Sequence, residues 1–504
     1  MIIVQLEPPH ATRGGDWFYR THAPGVAMAR AGGVFVIDAT NVHRARARLI
    51  AEADVLVLNM VCDADLLPLL ADRRAKKRLS VYELNDDVAC LQPWNPAAPF
   101  YANPENLALW RRTAASCDAI QFCTPELKRV YDHLHQQTAV FRNHLSFLDG
   151  RAAARSGGEQ PAGSLTIGWG GSHGHRDDIA AVAEPLAAFV ERRPDVTLAL
   201  MSSEPIHRLF ERLAPHKKRL VGPGSLEDYY RFLDTIDVGI APLCDTGFNR
   251  CRSDVKFLEY ALHGVVPVVQ RLAPYVDTVD DGRTGYLFRD AGELMTILAR
   301  LVDEPGARTS VASAARAYVA SERCEEARAA DRLAFYRRLS RAPAEGPALF
   351  DACAALEGAT QTGRHLSLDP TRYERLVHDA LVIGQASTRR DDAARLLREA
   401  SALEPHAYQP VAFAAGVSDD PLAELERALE LEPRSIASWL SLGALFSAAK
   451  RPDAALKALH AAAEVHPAYE LPYRRMARLL EGAGHAADAA EIDRLAAELG
   501  ARFE

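Results

Sequence analysis

From Met1 to about Arg142 the chain alternates short apolar runs with helical stretches. The runs are Ile2 to Leu6, Gly33 to Ile37, Asp54 to Met60, Arg78 to Leu84, Asp118 to Thr124 and Thr138 to Asn143. This pattern predicts parallel strands joined by helices, a first α/β domain. The stretch "DGRAAARSGGEQPAGS" (Asp149 to Ser164) is small, polar and glycine-rich, and reads as a linker. The alternation then restarts with Ser164 to Gly171, Asp195 to Ser202, Arg219 to Gly224, Asp237 to Leu243, Val265 to Val269 and Gly285 to Phe288.

Two Rossmann-like halves joined in this way leave a cleft between the carboxyl ends of two sheets, where open α/β folds bind ligands. The third region changes period. Pro433 and Pro467 stand 34 residues apart, and Trp439, Leu442, Gly443, Phe446, Ala455, Leu459 and Ala462 fall between them at the offsets of a tetratricopeptide repeat. Small residues let two antiparallel helices approach, and the large ones fill the space between repeats. Tyr473, Ala477, Leu480 and Ala489 mark a following, cap-like unit. Asp420 to Pro433 reads as a shortened one, with 28 residues between prolines. The expected division is a first domain at 1–150, a linker at 151–163, a second domain at 164–341, a connector at 342–367 and helical repeats at 368–504.

Composition narrows the function classes. A length of 504 residues exceeds one core, and a net charge of -8 with 25% charged residues offers no large basic field, so nucleic acid is not an expected partner. There is no basic leader and no run of about 18 apolar residues, so no integral membrane segment is expected and the reading is cytoplasmic. The eight cysteines are scattered without C-x-x-C spacing, which predicts buried free thiols rather than a zinc site or disulfides.

The chemistry concentrates in "NRCRSDVKFLEYALHGVVPVV" (Asn249 to Val269). Ser253, Asp254 and Val255 open a short helix, Lys256 and Glu259 share one of its turns, and Gly264 ends it before an apolar strand. A helix start facing the cleft suits a diphosphate, and a fixed cation there stabilises the charge that a leaving nucleoside diphosphate gains, without a metal. The same two residues also satisfy the spacing of an exposed i, i+3 ion pair.

This stretch resembles the donor-binding signature of retaining glycosyltransferases of family 4, which have the two-Rossmann-domain (GT-B) architecture. The resemblance implies that Glu259 contacts the donor ribose hydroxyls. It also implies that Asn249, the amides of Ser253, Asp254 and Val255, and the Lys256 cation lie at the donor diphosphate. "GWGGSHGHRDD" (Gly168 to Asp178) is similar to the family's glycine turn, placing Gly170, Gly171, Ser172 and His175 on the donor and His173 near the reaction. "RGGDWFYRTHAPGVAMA" (Arg13 to Ala29) resembles the turn after strand one, which puts Gly15, Arg20 and His22 on the acceptor side. Asp86 and Asp87, in "VYELNDD", are candidates for a metal-binding or acid/base pair, and equally for a helix cap or turn. "ARAYVASERCEEARAADRLAFYRRL" (Ala315 to Leu339) would be one last helix crossing back onto the first domain. The chain departs from the family at Cys251, where a first glutamate is usual, and at Trp169, where an arginine is usual.

The expected function is therefore transfer of a sugar from a nucleotide-sugar substrate, with no cofactor and no metal, and with repeats that recruit a protein acceptor or partner. The alternative is a non-catalytic scaffold of the same fold acting through its repeats. A nucleotide-sugar epimerase of similar two-domain shape matches the signature less closely.

Overall fold

The computed structural model describes residues 1–9, 14–146, 164–340, 347–384 and 389–501. The expected linker at 151–163, together with Arg13 and Arg341, lies outside the described residues. All twelve expected strands form: β1 (Ile2–Glu7), β2 (Phe35–Thr40), β3 (Val55–Asn59), β4 (Leu79–Leu84), β5 (Ala119–Phe122) and β6 (Thr138–Val140), then β7 (Leu165–Gly170), β8 (Val196–Met201), β9 (Lys218–Val221), β10 (Val238–Ala241), β11 (Val266–Gln270) and β12 (Tyr286–Phe288). The second set makes a wholly parallel sheet in the order β12-β11-β10-β7-β8-β9. Most strands are buried along their whole length, as sheets covered by helices on both faces require.

The first sheet has two more strands than the pattern predicts. Residues 342–367 were expected as a connector. Where described, they instead form a helix, Ala348–Ala354, and a hairpin of β13 (Ala359–Thr362) and β14 (His365–Leu368). Strand β14 lies parallel to β2 and completes an eight-stranded sheet in the order β13-β14-β2-β1-β3-β4-β5-β6. Leu349, Phe350, Leu366 and Leu368 are buried in the same core as Ile37 and Leu49. A four-residue strand whose partner lies over 300 positions away leaves little periodicity to read.

The expected last helix is two helices, Pro305–Glu322 and Glu325–Leu339. The break falls where the chain changes domain. Leu145 donates its N–H to the Arg323 carbonyl (2.8 Å) and accepts from the Glu325 N–H (2.9 Å), which takes the backbone groups at the break into a bridge. Beyond it, Ala329, Leu333, Phe335 and Tyr336 pack onto Ala27, Met28 and Val36 of the first domain.

The C-terminal region is all helical. Its helices follow as Arg372–Gly384, Arg390–Leu403, Gln409–Ala414, Pro421–Leu431, Ile436–Ala448, Pro452–Val465, Glu470–Gly482 and Ala486–Gly500. The six-residue Gln409–Ala414 helix accounts for the shortened spacing before Pro433. These helices do not swing free of the first domain. Ala64 and Leu67 pack against Ile436, Leu440 and Leu459. Buried Asp65 accepts from Tyr408 Oη (2.8 Å), Ser435 Oγ (2.9 Å) and the Ala437 N–H (3.0 Å), so a first-domain carboxylate caps a repeat helix. Arg112 pairs with Glu470 (3.3 Å) and Arg475 with Glu105 (2.5 Å). No described helix is long and apolar enough to cross a membrane.

Candidate donor site between the two Rossmann-like domains

The Val255–Leu262 helix carries the signature residues to the domain boundary. It ends as the sequence requires. Gly264 has φ 66°, a conformation natural to glycine, and the Gly264 and Val265 N–H groups close back onto the carbonyls of Ala261 (3.2 Å) and Tyr260 (2.9 Å). The chain then turns directly into β11. At the other end, the Asp254 side chain does not cap the helix. It pairs with Arg323 (2.6 and 3.0 Å) and accepts from Thr278 Oγ1 (2.9 Å), so the helix-start amides are not consumed by it.

Lys256 and Glu259 are not an exposed pair. Glu259 is only 4% exposed. Its Oε2 lies 3.7 Å from Lys256 Nζ and has no hydrogen-bond partner, whereas its Oε1 accepts from the Tyr19 hydroxyl of the first domain (3.1 Å). Lys256 donates to Tyr229 Oη (2.8 Å). Burial pushes the Lys256 ammonium below its ordinary value; Arg252 adds to the shift and Glu259 opposes it. A buried carboxylate oxygen without a donor is costly unless something supplies one.

The glycine turn has a packing reason of its own. A Cβ on Gly170 would stand 2.6 Å from the Tyr229 ring, and one on Gly171 2.6 Å from the Trp169 ring. Ser172 is exposed, and His173 is half-buried with Nδ1 3.5 Å from Ser203 Oγ. His175 Nδ1 pairs with Asp178 Oδ2 (2.8 Å). Burial lowers the imidazole below its ordinary value, with Arg252 adding and Asp178 opposing. Asn249, expected at the donor, is fully buried, and its amide donates inward to Asp178 (2.7 Å) and the Cys244 carbonyl (3.0 Å). Its role in this geometry is to brace the loop.

On the first-domain wall, Asp86 and Asp87 separate. Asp87 accepts from the Ala89 N–H (3.2 Å) and from the Tyr131 hydroxyl, which is the cap reading of this residue. Asp86 faces the second domain, 3.7 Å from Arg252. Its carboxyl is pushed up to about 6 by burial, with Asp16 and Asp87 adding and Arg252 opposing. Arg20, expected on the acceptor side, is instead buried inside the first domain. Its guanidinium binds Glu83 (2.5 and 3.1 Å), the Phe141 carbonyl (2.8 Å) and Asn143 (2.7 Å). The gain is indirect, since Asn143 donates onward to Ser253 Oγ (2.9 Å) across the boundary. Gly15 is exposed at the start of a short helix, with open space around it. His22 lies beside Asp38 and His365 rather than beside Lys256.

Those last three residues are, among the described residues, the only His, Cys or carboxylate side chains grouped closely enough to share a metal ion. His365 Nε2 and Asp38 Oδ2 are 2.7 Å apart. That is a hydrogen bond, closer than two tetrahedral ligands at about 2 Å from an ion would stand. The eight cysteines are all unpaired, four of them buried and Cys90 exposed. Cys251 is buried at the boundary, its carbonyl accepting from Thr124 Oγ1 (3.0 Å).

Sequence reasoning did not single out Arg252, Tyr19, Tyr229 or Tyr230. Arg252 stands between two short helices in extended backbone, so no helical spacing ties it to Lys256, and only the fold brings its charge to bear on that residue. No spacing signal ties Tyr19 to Glu259.

With this geometry in place, comparison with known proteins bears on the second domain. Residues 165–304 match the family model described as glycosyl transferases group 1. The matched segment holds the glycine turn, Arg252, Lys256 and Glu259. No curated protein matches the chain significantly. Among solved structures, the chain is similar to Alr3699/HepE from Anabaena in complex with UDP-glucose, with 14% identity, 66% of this chain and 99% of that chain covered, and a TM-score of 0.49. It is also similar to sucrose-phosphate synthase from Thermosynechococcus elongatus, with 15% identity, 67% and 99% coverage and a TM-score of 0.48. A glycosyltransferase from Rickettsia africae matches with 12% identity, 68% and 99% coverage and a TM-score of 0.48. At these identities and scores the likeness attaches no activity to this chain.

Proposed function

We propose that the chain is a glycosyltransferase that moves a sugar from a nucleotide-sugar donor, with the donor held by the second domain and the acceptor entering past the first. The observation that carries this reading is Glu259 Oε2: a buried acceptor without a donor, 3.7 Å from Lys256 Nζ, at the domain boundary. A ribose hydroxyl supplies the missing donor. Arg252, Lys256 and the start of the Val255–Leu262 helix face the diphosphate, whose negative charge grows as the glycosidic bond breaks. Two cations and helix amides can hold that charge, so the reaction proceeds without a divalent metal. In the retaining course implied by the resemblance, the leaving phosphate takes the acceptor hydroxyl's proton on the same face, and no strong side-chain base is demanded. Of the three catalytic candidates, Asp86 is the one beside Arg252, while Asp87 is spent on a cap and His173 approaches Ser203.

The helical repeats, of tetratricopeptide type by their pattern, recruit a protein acceptor or partner in this proposal. Their contacts with the first domain, through Asp65, Arg112 and Glu105, would hold that protein near the acceptor side. The buried Cys251 in place of a carboxylate is what favours the scaffold alternative. Hydrolysis and transfer assays against a panel of nucleotide sugars, for the wild-type chain and Glu259→Gln, separate the two. Turnover that the variant loses supports the enzyme, and nucleotide binding without turnover of any donor overturns it in favour of the scaffold.

A further inference from the structure

We propose that Tyr19 of the first domain positions Glu259 for the donor ribose, so that the donor site is complete only when the two domains are closed on each other. This rests on the reading of Glu259 as the ribose contact. Tyr19 lies on a π-helical turn, Phe18–His22, and is 4% exposed. Turns of this kind recur at functional positions. A carboxylate only accepts, so the Tyr19 hydroxyl donates to Glu259 Oε1 (3.1 Å) and in turn accepts from the Tyr230 hydroxyl (2.7 Å). The relay Tyr230, Tyr19, Glu259 therefore runs from the second domain through the first and back. It holds one carboxylate oxygen in place and leaves the other, Oε2, for a ligand hydroxyl.

The packing around this relay is what joins the domains. Phe18, Tyr19 and Ala23 share one apolar cluster with Tyr230, Phe257 and Leu258. Without the Tyr19 hydroxyl, Glu259 loses the contact that fixes its rotation, and Lys256 becomes the partner toward which both oxygens can turn. The carboxylate then presents less of an acceptor to the ribose, while Arg252 and the start of the Val255–Leu262 helix, which Tyr19 does not touch, still face the diphosphate. Tyr19 thus acts through Glu259 on recognition of the ribose diol alone.

The test is calorimetric binding of UDP, GDP and ADP to the full chain, followed for the nucleotide that binds by its 2′,3′-dideoxy form. The wild type is expected to prefer the ribonucleotide by about 10-fold, and Tyr19→Phe to cut that preference by about 3-fold or more, with affinity for the dideoxy form unchanged within about 2-fold. A merely structural role would weaken both nucleotides equally, and that outcome overturns the inference. So does a Tyr19→Phe chain that keeps the full wild-type preference. Tyr230→Phe, which leaves Tyr19 in place but removes its donor, is expected to lower the preference in the same direction. If Tyr19→Phe does not fold, an unchanged preference in Tyr230→Phe overturns the inference. A wild type that binds both forms equally, or binds no nucleoside diphosphate, removes the reading of Glu259 itself and this inference with it.

Discussion

A chain ended at Ser340 would retain both Rossmann-like domains as the sequence pattern delimits them, yet the structure gives it a defective first sheet. It lacks the Ala348–Ala354 helix and the β13–β14 hairpin. Leu349, Phe350, Leu366 and Leu368, each no more than 2% exposed, leave the core. At about 1.5–3 kcal/mol for each fully buried apolar side chain, the loss is on the order of 6–12 kcal/mol, an upper estimate because denatured chains already bury part of this surface. That is comparable with the whole stability of a typical domain, about 5–15 kcal/mol. Asp38 also loses His365, its 2.7 Å partner, and keeps only Gln5 and His22 beside it. A chain ended at Asp369 keeps all of these contacts and loses, as the shorter chain also does, the repeats with their contacts to Asp65, Arg112 and Glu105. Thermal unfolding of the two truncated forms, followed by circular dichroism at equal concentration, should show the shorter one aggregated or melting at least about 10 °C lower. Melting temperatures within about 2 °C of each other would refute the argument that β14 is part of the first domain's core.

Lys256→Ala and Arg252→Ala should each weaken nucleoside diphosphate binding by about 1.5–3 kcal/mol, and the double variant by less than the sum, because neighbouring charges acting on one diphosphate couple; calorimetric titration reads both effects. Activity in excess chelator is expected to persist, and complete loss restored by added divalent metal would refute the metal-free account. The Asp65 carboxyl is pushed up to about 6 by burial, with Asp63 adding, against an unfolded value near 3.9. The folded chain therefore holds the proton more tightly than the unfolded one, and this group's contribution to stability is fullest below about pH 4 and is lost as pH rises through 6. Replacing Asp65 with Asn should flatten the decline in melting temperature between pH 4 and 7 relative to wild type, and an identical decline in both would count against it.

The sequence by itself determined the elements whose signals are local. Twelve apolar runs became twelve strands, because a buried parallel strand needs little more than a continuous run of apolar residues between turns. Gly264 and the strand after it were legible for the same reason: a left-handed helix end is a one-residue requirement. Lys256 and Glu259 share one helical turn, so their proximity was a matter of spacing alone. What tertiary structure decided were the contacts between segments far apart in the chain. Asn249 and Arg20 are polar residues beside apolar ones in the sequence, and only the fold shows their side chains turned inward onto Asp178 and Glu83. Asp86 and Asp87 are adjacent, yet a backbone turn sends one to a cap and the other to Arg252. Tyr19 reaches Glu259 across 240 positions, and His365 reaches Asp38 across 327. Periodicity encodes which face of an element is buried, but not which distant element buries it, and the partners of a hydrogen-bonding side chain are settled only when the domains and the repeats are packed together.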